Sequence, residues 1–246
     1  MDNIDMRNAG FTRTEAVVGV IIVLMLAAIV YPKMRSAREY AGWMNCTLSV
    51  KQLGLSIAQY EQDNDMVLPP TTSGGSSWRR LVSTYARPTQ KWVCPNNPVH
   101  TLPDAEHDGN FRSYAVNASS GGKNGIGGPF NAARRVLRAD KIADPSTTIF
   151  LVESTSALAS FDPLKPALFA QPTGTTVGHL YDCYNLHTAV LYGDFHAKQE
   201  LLDRLKTNDV PNPWTVDGSA FALSDASVAK KTIEFAATQA PWDPYR

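Results

Sequence analysis

The chain has 246 residues and balances 23 Lys and Arg against 23 Asp and Glu, so it has no net charge and no basic excess to hold nucleic acid. Its length allows one domain with a sizeable core plus an anchor, or two small domains. Three cysteines, Cys46, Cys94 and Cys183, are too few for a disulfide scaffold and lack the CxxC spacing of a zinc site, so at most one pair can bridge within the chain. The first element is an apolar run, residues 16–31, that holds no charge and is closed by Pro32 and Lys33, with Glu15 at its mouth. A cleaved secretory signal would begin cationic and end at a small-residue site, whereas Asp2 and Asp5 outnumber Arg7 and the run ends at Tyr31-Pro32. An ordinary membrane anchor needs about 20 apolar residues. Reaching that length draws residues 11–15 into the bilayer and puts Glu15 in lipid, where a lone carboxylate costs at least ~2.5 kcal/mol. Neither reading gives the carboxylate a task.

Nothing requires the helix to stop where the apolar run does. Pro32 can be absorbed as a kink. Beyond it Trp43, Cys46, Val50, Leu53, Ile57 and Tyr60 recur at spacings of three and four, one stripe of a helix predicted to lie on a sheet. The turn formers Asp63-Asn64-Asp65 and the breakers Pro69-Pro70 end it. Residues 77–86, SWRRLVSTYA, space Trp78, Leu81 and Tyr85 as a short helix with Ser77 as its N-cap. Strands are expected at 112–117, 136–142 and 147–153, the last rich in β-branched and aromatic residues. Within 188–202 two more are expected, joined near Gly193-Asp194. Residues 119–128 and 155–178 read as loops, and 224–239 as a late amphipathic helix. The order is that of an α+β chain with no internal repeat and no GxGxxG, P-loop or HExxH motif.

The segment GFTRTE, Gly10 to Glu15, resembles the processing site of type IV prepilins and type II secretion pseudopilins. By that resemblance a prepilin peptidase cuts between Gly10 and Phe11 and N-methylates Phe11. Residues 1–10 are then a leader, 11–32 a transmembrane and assembly helix, and 33–246 an extracytoplasmic head that includes the second half of the helix. Glu15 becomes the fifth residue of the mature chain and, by the same resemblance, meets the N-terminal amine of a neighbouring subunit. An ammonium and a carboxylate that meet in low dielectric attract far more strongly than in water, and each relieves the other's burial cost. The segments CTLSVKQLGLSIAQYEQDNDMVLPP (46–70), WVCPNNP (92–98), SYAVNASS (113–120), DPSTTIFLVES (144–154) and HTAVLYGDFHA (187–197) resemble, in that order, a bacterial pseudopilin-like family. That family carries a C-terminal histidine, nine residues, then Asp-Gly; here six residues separate His187 from Asp194, and Phe195 stands where glycine is expected.

The resemblance implies a pilin-like fold, a long N-terminal helix packed on a small antiparallel sheet. It also implies a filament subunit of the inner membrane with a periplasmic head, whose partners are the prepilin peptidase, other pilin or pseudopilin subunits and membrane lipid. It implies no cofactor and no catalysis. An exported head sits in an oxidising compartment, which makes Cys46 and Cys94 the candidate disulfide; the alternative is two buried free thiols. His187, Asp194 and His196 carry groups that could ligate zinc or a similar ion. With Glu153 they would serve the alternative function, a membrane-tethered enzyme or binding protein. Gly193-Asp194 suits equally a hairpin turn in which the aspartate caps its own backbone.

Overall fold

The computed structural model of the chain describes residues 12–73, 76–86, 92–94, 97, 113–122, 127–130, 137–154, 159–164, 180, 186–206 and 211–238. The chain divides into two units, Met1–Ala41 and Gly42–Arg246. Helix α1, Arg13–Asp63, begins in the first and ends in the second, continuing through Pro32. It stops where Asp65 and Met66 adopt positive φ, 54° and 62°, and the N–H groups of Asn64 and Met66 both donate to the Glu61 carbonyl. This left-handed close satisfies carbonyls that the helix itself leaves unpaired. The Asn64 side-chain amide donates to the Tyr60 carbonyl at 2.7 Å and satisfies another.

In the second unit β1 (Thr72–Ser73) and β2 (Ser76–Ser77) form an antiparallel ladder that leads into α2 (Trp78–Ser83). Ser77 caps α2 as its sequence position predicts, its Oγ accepting from the Arg79 N–H at 3.2 Å. The main sheet contains β3 (Tyr114–Asn117), β4 (Ile149–Glu153), β5 (Ser160–Phe161), β6 (His187–Tyr192) and β7 (Ala197–Leu201). Among the described residues its order is β5-β3-β4-β6-β7. Helix α3, Leu223–Thr238, closes the described chain.

Three expectations change. Residues 160–161, inside the segment read as a loop, form β5. The sheet is mixed rather than antiparallel, because β5 pairs in parallel with β3. β5 thus lies on the side of β3 away from β4 and runs opposite to β4. The strand expected at 136–142 is absent from 137–142; Arg138 makes an isolated bridge to Val67, and Ala139–Lys141 is a 3-10 turn. These residues spend their backbone groups on the chain leaving α1: the Leu68 N–H donates to the Leu137 carbonyl and the Ala139 N–H to the Met66 carbonyl.

The sheet is covered on both faces. On one, the α1 stripe Cys46, Val50, Leu53 and Ile57 packs with Trp78, Val82, Tyr114, Val116, Leu151, Ala189 and Leu191. On the other, Ala115, Ile149, Val152 and Val190 pack under Phe161, Trp214 and the α3 residues Ala229 and Ile233. Central strands buried on both faces read as continuous apolar runs, as IFLV and AVLY do. A bulge in β4 lets two consecutive residues face α1. Ile149 pairs with Tyr192 and Leu151 with Leu191, so Phe150 is the extra residue and joins Leu151 in the α1-side core. Helix and sheet approach so closely that a Cβ on Gly54 would lie 2.6 Å from Leu191 Cδ1.

Candidate functional site

Three places carry the residues singled out by sequence. The first is the start of α1. Arg13–Tyr31 is long and apolar enough to cross a membrane, and none of it is buried. Every large apolar side chain from Val17 to Val30 is at least 46% exposed. Glu15 caps this helix: its Oε2 accepts from the Thr12 N–H and the Thr12 hydroxyl, both at 2.9 Å, while its own N–H donates to Thr12 Oγ1 at 3.3 Å. This is a capping box, and its signature, Thr-x-x-Glu in Thr12-Arg13-Thr14-Glu15, stands in the sequence but was hidden by the apolar run beside it. Thr12 is thus the capping partner of Glu15, which the sequence expectations did not name. Gly10 and Phe11, the expected cleavage and methylation positions, lie outside the described residues.

The second is the β6–β7 hairpin. In its register His187 faces Leu201 at the open end, while Leu191 faces Ala197 next to the turn. Five residues at about 3.3 Å each put His187 roughly 17 Å along the strand from Tyr192. Asp194 and His196 are therefore brought together and His187 is kept apart from them, its ring instead meeting Trp43 at 6.2 Å. Asp194 Oδ1 accepts from the His196 N–H at 3.1 Å and lies 2.5 Å from His196 Nδ1. The aspartate closes the turn on its own backbone. The His196 ring stacks on Tyr192 at 4.4 Å. The Tyr192 hydroxyl donates to Glu200 Oε1 at 3.1 Å, and burial, reinforced by the Glu200 charge, holds its phenol well above the usual range. Three ligands for one ion do not converge here.

Within the same turn Gly193 supplies space. A Cβ there would lie 3.0 Å from the Pro145 carbonyl oxygen and 2.9 Å from Phe150 Cε1. The positive φ falls two positions later, on Phe195 at 64°. That is the slot a three-residue hairpin loop normally gives to glycine, and here Phe195 takes it. The Phe195 ring is set edge-on against Phe150 at 5.8 Å, and Phe150 likewise against Phe130 at 5.4 Å.

The third is buried under α1. A disulfide joins Cys46 on the helix to Cys94, with Cα atoms 5.1 Å apart. Glu153, at the end of β4, faces the same side of the sheet as Leu151 and is fully buried. Its Oε2 accepts from the Ala189 N–H at 2.7 Å and from the Thr188 hydroxyl at 3.3 Å. One carboxylate oxygen of Glu153 and the two sulfurs all lie within 4.8 Å of one another. The sequence places these three residues 48 and 59 positions apart, so only the packing of helix on sheet brings them together. Comparisons of the chain with protein-family models, with curated proteins and with solved structures return no match.

Proposed function

We propose that this chain is a pseudopilin or minor pilin, a structural and non-catalytic subunit of a type II secretion or type IV pilus-like filament. A prepilin peptidase removes residues 1–10 and methylates Phe11. The N-terminal helix then sits in the inner membrane among other subunits, with the head on the periplasmic side. One observation carries the reading: a single helix of two characters. Residues Arg13–Tyr31 are apolar, unburied and headed by Glu15, and the same helix runs on to a stripe, Cys46, Val50, Leu53 and Ile57, that is wholly buried under the head. A soluble core helix would bury its apolar half. A removable secretory signal has no need to be continuous with a core helix. A filament subunit needs both halves, one to anchor and pack with its neighbours and one to hold the head. The test is mass spectrometry of the membrane-resident protein from its native host. The expected N-terminus is N-methylated Phe11, and an intact Met1 on that protein overturns the proposal.

A further inference from the structure

The Cys46–Cys94 disulfide has an unusual neighbour for a structural cross-link. Glu153 is held beside it by hydrogen bonds that Oε2 accepts from the Ala189 N–H and the Thr188 hydroxyl of β6. Hydrogen bonds from a second shell that fix the orientation of a carboxylate are characteristic of metal ligands. The three groups also sit on separately anchored backbone: Cys46 on α1, Glu153 on β4, and Cys94 through its N–H, which donates to Ser113 Oγ at 3.0 Å.

We propose that the reduced form of this cluster is a zinc site, with Cys46 Sγ, Cys94 Sγ and a Glu153 oxygen as ligands, and that the disulfide is its closed, metal-free form. Two thiolates and a carboxylate are a donor set that suits borderline-soft Zn2+. With Zn–S of about 2.3 Å and Zn–O of about 2.1 Å, tetrahedral ligands stand roughly 3.6–3.8 Å apart. The three atoms, all within 4.8 Å of one another, need only a small adjustment once the sulfur–sulfur bond is opened. The chemistry balances with a small dithiol as reductant. Its two thiols become a disulfide, and two electrons and two protons pass to Cys46 and Cys94. Zn2+ then forms two bonds to sulfur and releases the two thiol protons to solvent. Oxidation in the reverse sense expels the metal, so binding and cross-linking exclude one another. The inference does not rest on the filament role.

The test uses the full chain in detergent, in a Cys183→Ala background so that Cys46 and Cys94 are the remaining thiols. It is reduced with dithiothreitol, desalted without oxygen and titrated with Co2+ as a spectroscopic stand-in for Zn2+. The expected result is one Co2+ per reduced chain with a thiolate-to-cobalt charge-transfer band, displaced by Zn2+, and no band for the oxidised chain. Glu153→Gln should keep the band but weaken affinity by about tenfold to a hundredfold. If that variant fails to fold, Glu153→Asp, which keeps the charge but draws the carboxylate back by one methylene, carries the same expectation. Zn2+ should also raise the melting temperature of the reduced chain and leave that of the oxidised chain unchanged. A reduced chain that binds no Co2+, or that binds it equally well without the Glu153 carboxylate, overturns the proposal.

Discussion

Phe195 carries a positive φ of 64°, and replacing it separates backbone strain from aromatic packing. A side chain in the left-handed region costs about 1–2 kcal/mol, which Phe195→Gly returns, less about 0.5–1 kcal/mol for the extra freedom glycine has in the unfolded chain. Against that gain stands the ring. Half-burying a phenylalanine is worth about 1–1.5 kcal/mol, and the edge-to-face pair with Phe150 about 0.5–1.5 kcal/mol more. The ring outweighs the strain, so Phe195→Gly should destabilise the head by about 1–2 kcal/mol. Phe195→Ala loses the same ring and keeps the strained Cβ, so it should cost about 2–3 kcal/mol. Urea unfolding of the full chain in detergent, followed by the fluorescence of the buried Trp78 and Trp214, reads both values. The order wild type, then Gly, then Ala is the expectation. A Phe195→Ala chain at least as stable as Phe195→Gly would show that φ does not govern this position; a Phe195→Gly chain more stable than wild type would show that the ring offsets nothing.

The Cys46–Cys94 bond spans 48 residues, for which loop-closure entropy gives about 4 kcal/mol; in metal-free buffer Cys46→Ala, Cys94→Ala and the double variant should each lose close to that amount, and losses that add would refute a shared bond. Gly54→Ala gains up to about 1 kcal/mol of helix propensity but drives a methyl into Leu191, an overpacking cost of about 1–3 kcal/mol, so thermal melting should show a net loss that Leu191→Val relieves. Glu61 is 4% exposed, its Oε2 has no hydrogen-bond partner among the described residues, and burial raises its carboxyl above the ordinary 4.5. The folded chain then binds this proton more tightly than the unfolded one, so the Glu61 contribution to stability is fullest below pH 4.5 and is lost as pH rises through the raised value. Unfolding of wild type and Glu61→Gln across that window should show the stability of wild type relative to the variant falling as pH rises; parallel profiles would refute it.

What was legible in the sequence is what local pattern encodes. The stripe from Cys46 to Ile57 is buried residue for residue, because a helix on a sheet imposes its period wherever the partner is. Ser77 caps α2, and the hairpin turns at Gly193-Asp194, for equally local reasons. Whatever depends on the whole chain was not legible. The far side of the sheet is covered partly by Trp214, whose indole N–H donates to the Leu205 carbonyl at 3.0 Å, and neither residue sits in a periodic segment that would announce it. Residues 137–142 have strand-like composition, but the backbone leaving α1 competes for their hydrogen bonds. At the hairpin, residue types suggested three converging ligands, and the register of the strands kept His187 at the opposite end. Glu153 reads as the polar end of an apolar strand, and only the approach of α1 gives it two sulfurs as neighbours.

Glu15 has one task in the structure and a second in the proposed assembly. Its Oε2 closes the capping box with Thr12, so even an isolated chain has a use for this carboxylate. Losing a helix cap costs about 0.5–2 kcal/mol. An assembly defect in Glu15→Ala is therefore ambiguous: it can follow from a frayed first turn as well as from a lost pairing with a neighbour's amine. Thr12→Val separates the two. It removes the hydroxyl, and with it the bonds from Thr12 Oγ1 to Glu15 Oε2 and from the Glu15 N–H to Thr12 Oγ1, but leaves the carboxylate in place. If the carboxylate serves an amine across the subunit boundary, Glu15→Ala should insert in membranes and fail to cross-link with partner subunits, while Thr12→Val should insert and cross-link nearly as wild type does. Equal defects in the two variants would assign Glu15 to capping alone. The pairing also predicts a dependence on processing: blocking the cut at Gly10-Phe11 removes the amine, so in an unprocessed chain Glu15→Ala should cause no further loss of cross-linking. A further loss there would mean that the carboxylate works without the amine, and the inter-subunit ion pair would have to be abandoned.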